Sequence, residues 1–303
     1  MFVGTIPSFA FNRFTAYNFN AQNTQISKIE PYAFNDIKVT NAFFLQLNSL
    51  TALDTSVFGG TSEVFQLYLS NNGMTTIASN AFKNLSVSYI FLNNNLLNVY
   101  PVALNQLKPL EIHLYGNTLR QIPTGSLSGQ TKLQKFSVYD NAITEISSDI
   151  FKDAISLVQI DMHNNQIQKV GEGAFAGLKS LQIIDLSRNS IPYFPAIALP
   201  ELRILNLADN LIETMGGIAT PNKIISLNLN NNPLGCECST TGSLFNAINA
   251  ISSETRCSSP NGVAGVWFSS SKRSNSLYYQ NVDRALFQCR IMLSLVQVRP
   301  QVR

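Results

Sequence analysis

Charge is scarce in this sequence. Asp, Glu, Lys and Arg make up 13% of the 303 residues, about half their share in an average soluble protein, and no run of Lys or Arg occurs. The formal charge of +3 comes from Arg290, Arg299 and Arg303; without these three, 18 basic residues face 18 acidic ones. A neutral chain lacks the electrostatic footprint that draws proteins to phosphate backbones, so no nucleic-acid partner is expected. Long apolar runs are also missing. No window reaches the roughly 18 to 20 residues that span a bilayer, so a membrane would be reached only through a segment absent from this chain. Met1 to Phe14 has no basic stretch followed by an apolar run and does not read as a signal peptide. There are two histidines, and no cysteine precedes Cys236. The motifs G-x-S-x-G, H-E-x-x-H and a phosphate-cradling glycine loop are absent, so neither catalysis nor a cofactor is expected.

Asparagine is in excess, at about one residue in nine, although it is disfavoured inside helices and strands. A repeat supplies a cause. Leu133-Gln-Lys-Phe136-Ser-Val138-Tyr-Asp-Asn141, Leu157-Val-Gln-Ile160-Asp-Met162-His-Asn-Asn165 and Leu181-Gln-Ile-Ile184-Asp-Leu186-Ser-Arg-Asn189 share the pattern L-x-x-L-x-L-x-x-N. Apolar residues follow two and five positions later, as at Ile143 and Ile146. The closing position recurs at Thr24, Asn48, Asn72, Asn95, Asn117, Asn141, Asn165, Asn189, Asn210 and Asn232, 21 to 24 residues apart. The L-x-L core alternates with period two and reads as a short strand with one buried face. An Asn where the chain leaves that strand can pair backbone groups of adjacent turns that would otherwise be buried unsatisfied. Asn71, Asn93, Asn94, Asn164, Asn230 and Asn231, which precede the ladder position, are expected to point to solvent. A second column lies ten residues after the ladder: Phe11, Phe34, Phe58, Phe82, Leu127, Phe151 and Phe175. Shorter spacings break it at Asn105 and after Asn189, where a less regular arch is expected.

These motifs resemble the leucine-rich repeat family over about Val3 to Cys289. The resemblance implies an α/β fold: a curved solenoid with a parallel sheet on its concave face, an irregular or 3-10 convex side, and a small disulfide-bonded carboxy-terminal cap. It divides the chain into a repeat array over 1–234, with about ten repeats after a partial first one, a cap over 235–289, and a tail over 290–303 expected to be disordered. The chain starts inside a repeat, so an amino-terminal cap is expected to be missing.

The cysteines follow the array in the order Asn232-Pro-Leu-Gly-Cys236-Glu-Cys238, then Cys257 and Cys289. An even number reads as a disulfide framework; the rival is a tetrahedral zinc site, which the lack of paired C-x-x-C spacing disfavours. The sequence assigns no metal. The N-P-x-x-C-x-C opening is similar to the carboxy-terminal cap of extracellular animal-type arrays, which implies pairing of Cys236 with Cys257 and Cys238 with Cys289. Disulfides imply an oxidising compartment.

In the family the residues between the strand leucines face the concave side. The first column there reads Asn20, Phe44, Tyr68, Phe91, His113, Ser137, Asp161, Asp185, Asn206 and Asn228. Two residues on, the next includes Tyr115, Tyr139 and His163. Phe44, Tyr68, Tyr89, Phe91, Tyr115 and Tyr139 are expected to form one diagonal aromatic stripe, because adjacent strands lie about 4.8 Å apart and clustered Tyr and Phe favour interfaces. Asp140, Asp161 and Asp185 form an acidic strip suited to a cation or a basic partner. His113 and His163 stand roughly 12 Å apart by strand spacing and rise, too far to share a metal, and are read as surface residues. Asn84-Leu85-Ser86 is a glycosylation sequon. The resemblance implies a non-catalytic recognition module that binds a protein or glycan on its concave face, in a secreted or cell-surface protein such as a receptor ectodomain, with self-association into a homodimer compatible. The alternative is a structural adhesion or matrix component without a specific patch.

Overall fold

The computed structural model describes residues 4–219 and 223–235. The L-x-L segments form ten strands: Thr15–Asn20, Lys38–Phe44, Ser62–Tyr68, Leu85–Phe91, Glu111–His113, Lys135–Ser137, Gln159–Asp161, Ile183–Asp185, Ile204–Asn206 and Ser226–Asn228. They make one parallel sheet whose strand order follows the chain without crossover. Each turn of chain therefore stacks on the previous one. In the six short strands the central residue, Ile112, Phe136, Ile160, Ile184, Leu205 or Leu227, is fully buried while the first faces outward. The architecture is the expected solenoid. No α-helix occurs among the described residues; the convex side carries short parallel pairs such as Glu145–Ile146 with Lys169–Val170 and one 3-10 segment, Val102–Gln106.

The first four strands are about twice as long as the rest, and in the second to fourth a valine stands at or beside the head of the motif. Val39, Val64 and Val87 are buried and extend the ladder backwards, as β-branched side chains favour. The second strand holds one residue more than its neighbours between Val39 and Phe43. Thr40 and Asn41 together oppose Tyr17 on one side and Phe65 on the other, a bulge. Asn18 stabilises it, its Oδ1 accepting from Asn41 Nδ2 at 2.9 Å and from the Ala42 amide at 3.1 Å.

The asparagine ladder works as the motif implies. Asn165 Nδ2 donates to the carbonyls of Val138 in the preceding turn and Met162 in its own, both at 3.0 Å, and its Oδ1 accepts from the Ile143 amide. The same three contacts recur at Asn189 and Asn210. The asparagines just before the ladder have a cause that spacing did not reveal. Asn23, Leu47, Asn71, Asn94, Gly116, Asp140, Asn164, Arg188, Asp209 and Asn231 all have φ between 51° and 66°, the left-handed region that Asn, Asp and Gly tolerate best. Some bond one another, as Asn94 Nδ2 does to Asn71 Oδ1 at 3.1 Å. Asn93 is buried and does not point to solvent as expected.

Under the convex side, Phe11, Phe34, Phe58 and Phe82 stack at 5.5, 5.6 and 6.4 Å. Leu104, not Asn105, fills the column where the spacing shortens. Beyond Asn189 the spine continues through Phe194, 6.2 Å from Phe175. The division at residues 234 and 289, the tail, Cys236, Cys238, Cys257 and Cys289 fall wholly or mainly outside the described residues.

Candidate functional site

The outward positions of the sheet carry the aromatic residues, and strand spacing brings their rings into contact. Phe44 and Tyr68 stack at 5.1 Å, Tyr68 and Phe91 at 4.4 Å with an interplanar angle of 1°, and Phe91 and His113 at 4.6 Å. A second stack begins two residues further along the chain: Tyr115 on Tyr139 and Tyr139 on His163, each at 4.4 Å. His113 and Tyr115 meet edge to face at 6.2 Å and join the two. The expected single stripe is thus two offset stacks, because parallel strands hold each column in register and a ring reaches its neighbour in the same column more readily than across columns.

Both histidines are members of these stacks. His113 is only 7% exposed, which corrects its reading as a surface residue: the ring lies flat on Phe91, and Nε2 is 2.9 Å from Glu111 Oε2. Loss of solvent outweighs the carboxylate and lowers the pKa of His113. Tyr139 is pushed up to about 12, first by burial and then by Tyr115 and the neighbouring aspartates. Tyr68 is also raised by burial, and its hydroxyl lies 2.6 Å from Gln66 Oε1.

Tyr89 stands outside both stacks and packs edge to face on Phe65 at 5.2 Å. Phe65, an exposed ring on the same sheet, was missed because the motif was read from L-x-L onward; the alternation Val64-Phe65 upstream carries the signal. Beside it lies a depression of about 260 Å³ lined by Lys38, Thr40, Glu63, Phe65, Ser86 and Ser88. Asp161 and Asp185 are opposed in register on adjacent strands. His163 joins them, with Nδ1 at 2.6 Å from Asp161 Oδ1, whereas Asp140 turns away and accepts from Asn164 Nδ2. Asn84, the sequon residue, is exposed at the entry to the fourth strand.

The family model described as leucine rich repeat matches residues 41–97 and 131–191. No curated protein sequence matches the chain at a significant level. Among solved structures, TLR13 in its complex with ssRNA13 is 21% identical with a TM-score of 0.52, over 70% of this chain and 34% of that one, so the chain spans about a third of that protein's length. The leucine-rich repeat part of FLRT2, in an octameric complex with Latrophilin 3 and Unc5D, is 19% identical with a TM-score of 0.55, covering 86% of this chain and 89% of its own. These identities speak for the fold alone. Since one of the two is solved with an RNA, the fold does not exclude nucleic acid, and the exclusion made above rests only on this chain's own charge. Repeats that match the family model on both sides of the fifth strand, an asparagine ladder from Asn48 to Asn232 and ten parallel strands in chain order give the described residues the fold of a leucine-rich repeat solenoid.

Proposed function

We propose that the array is a non-catalytic recognition module that binds a protein ligand across its concave face, in a secreted or cell-surface setting. The observation that carries this reading is the pair of ring stacks. Aromatic side chains are costly to leave half in water and are enriched where partners dock. The stacking also bears on what docks: a sugar or a base binds an aromatic ring by lying on its face, and in the interior of both stacks each face is already covered by the next ring. What remains for a ligand is ring edges, tyrosine hydroxyls and the polar flanks, a surface suited to protein side chains. FLRT2, with a fold of this kind, is solved in assembly with other proteins. The sheet is held by backbone ladders and stacked cores, so such a face is presented ready-formed and little ordering entropy is lost on binding.

The test uses the whole chain immobilised against a panel of purified extracellular protein domains, glycans and single-stranded RNA, beside two variants, Tyr68→Ala/Phe91→Ala and Tyr139→Ala. A saturable protein ligand whose affinity falls about tenfold or more in a variant that still melts cooperatively is the expected result; each lost aromatic hot spot is worth about 2 kcal/mol or more. A ligand indifferent to both variants removes the reading, and multivalent attachment without saturation favours the adhesive scaffold. Passage through a secretory pathway leaves Asn84-Leu85-Ser86 open to modification, and a mass shift on glycosidase treatment checks that setting.

A further inference from the structure

Where the second ring stack ends, two carboxylates and an imidazole meet on the outward face of the sheet. Asp161 and Asp185 are direct neighbours in parallel register, both half-buried. Like charges placed opposite each other on adjacent strands repel. The other opposed charges of the described sheet are matched, as Lys38 is with Glu63 at 3.1 Å, but neither aspartate has a Lys or Arg within ion-pair distance among the described residues. Into this pair projects a nitrogen ligand. One oxygen from each aspartate and one ring nitrogen of His163 lie within 4.8 Å of one another.

Two of the three groups, His163 and Asp185, are held from outside. The His163 ring lies flat against Tyr139 at 4.4 Å and 12°. Asp185 Oδ1 accepts from the Ser187 hydroxyl at 2.6 Å and the Ser187 amide at 3.0 Å, and its Oδ2 accepts from Asn206 Nδ2 at 3.0 Å. Hydrogen bonds of this outer kind fix ligand orientation and raise affinity. The next positions of the ring column, Ser187 and Ala208, carry no ring.

We propose that Asp161, His163 and Asp185 bind a divalent first-row transition ion, with zinc as the reference. Two carboxylates and one imidazole form a three-ligand set that leaves positions for water or a ligand group, whereas calcium and magnesium take oxygen ligands. The imidazole binds as the neutral ring with its proton on Nε2, and Nδ1 gives up its contact with Asp161 Oδ1 for the ion. Bonds of about 2.0 to 2.2 Å require the widest pair of ligand atoms to draw together by side-chain rotation; the backbone stays in register. The ion cancels the repulsion between the two strands.

The experiment is a titration of the tag-free full chain with zinc, followed by calorimetry, and with cobalt, followed by visible absorption, at neutral pH under oxidising conditions. One ion per chain is expected, with affinity reduced about tenfold or more in His163→Ala and in Asp185→Asn, since even outer-shell changes act on that scale. Cobalt is expected to show weak d–d bands and no sulfur-to-metal charge-transfer band. Zinc is also expected to raise the melting temperature of the unmodified chain and to leave that of His163→Ala unchanged. Absence of saturable uptake, equal affinity in His163→Ala, or a thiolate band assigning the ion to the cysteines would each overturn the proposal.

Discussion

Among the described residues Tyr100 is the largest side chain that is fully buried, and its hydroxyl has no hydrogen-bond partner among them. Burial drives its pKa far above the ordinary tyrosine range. A buried hydroxyl left unpaired costs about 1 to 3 kcal/mol. Tyr100→Phe keeps the ring and removes the orphan, so the urea midpoint of the variant is expected to rise by an amount equivalent to about 1 kcal/mol; an unchanged or lower midpoint means the hydroxyl has a partner. The left-handed column offers a matching gain. Leu47 sits there at φ 59° and is exposed, where a branched aliphatic side chain pays a strain of about 1 to 2 kcal/mol that Asn largely avoids. Leu47→Asn is therefore expected to stabilise by about 1 kcal/mol in the same measurement. This column was invisible as a conformational requirement in the sequence, although its residues were in plain view. An Asn that bonds a neighbour and an Asn that tolerates positive φ look alike on paper, and Leu47 and Arg188 disguise the rule.

At the scale of the element, the ladder and the ring stacks differ in how far they could be read. L-x-x-L-x-L-x-x-N specifies which residues are buried and where the chain turns, because period-two alternation and the Asn position are both local. Stacking within columns depends on register between strands, and a register is a property of pairs. The bulge at Thr40 and Asn41 shows the same limit: the extra residue can be counted, but the partner that accommodates it, Asn18, belongs to another turn. His113 gives this scale its test. Burial lowers its pKa despite Glu111, so the fold disfavours the protonated ring and binds fewer protons than the unfolded chain. That contribution is present above the unfolded value near 6.5 and is lost as the pH falls through the depressed folded value. His113→Phe continues the column of Phe44, Tyr68 and Phe91 without a titrating group. Its stability is expected to fall less steeply with acidification below about pH 6.5 than that of the unmodified chain; parallel curves would show that His113 takes no part.

At the scale of the array, each turn among the described residues packs on its neighbours, so stability is a sum of local terms. Those terms are unequal. The third and fourth strands share six register pairs, from Ser62 with Leu85 to Tyr68 with Phe91, whereas the ninth and tenth share three. Hydrogen exchange is therefore expected to persist longest in Ser62–Tyr68 and Leu85–Phe91 and to run fastest in Ile204–Asn206 and Ser226–Asn228; uniform protection along the sheet would contradict this. A solenoid was legible from the spacing of this one position, since a polar residue recurring every 21 to 24 residues through ten turns marks stacked repeats.

The parallel register also turns the concave face into a ruler. Its columns advance by one strand spacing, about 4.8 Å, while the same-side side chains of an extended peptide advance by about 6.8 Å. Two scales of that ratio behave as a vernier and coincide only about once in 34 Å, roughly seven columns against five side-chain steps. A linear strand laid across the two ring stacks thus meets them in phase at one place and out of phase elsewhere. The protein recognition proposed for this face is therefore expected to draw on contacts from separate segments of a folded surface, spaced by that partner's own tertiary structure.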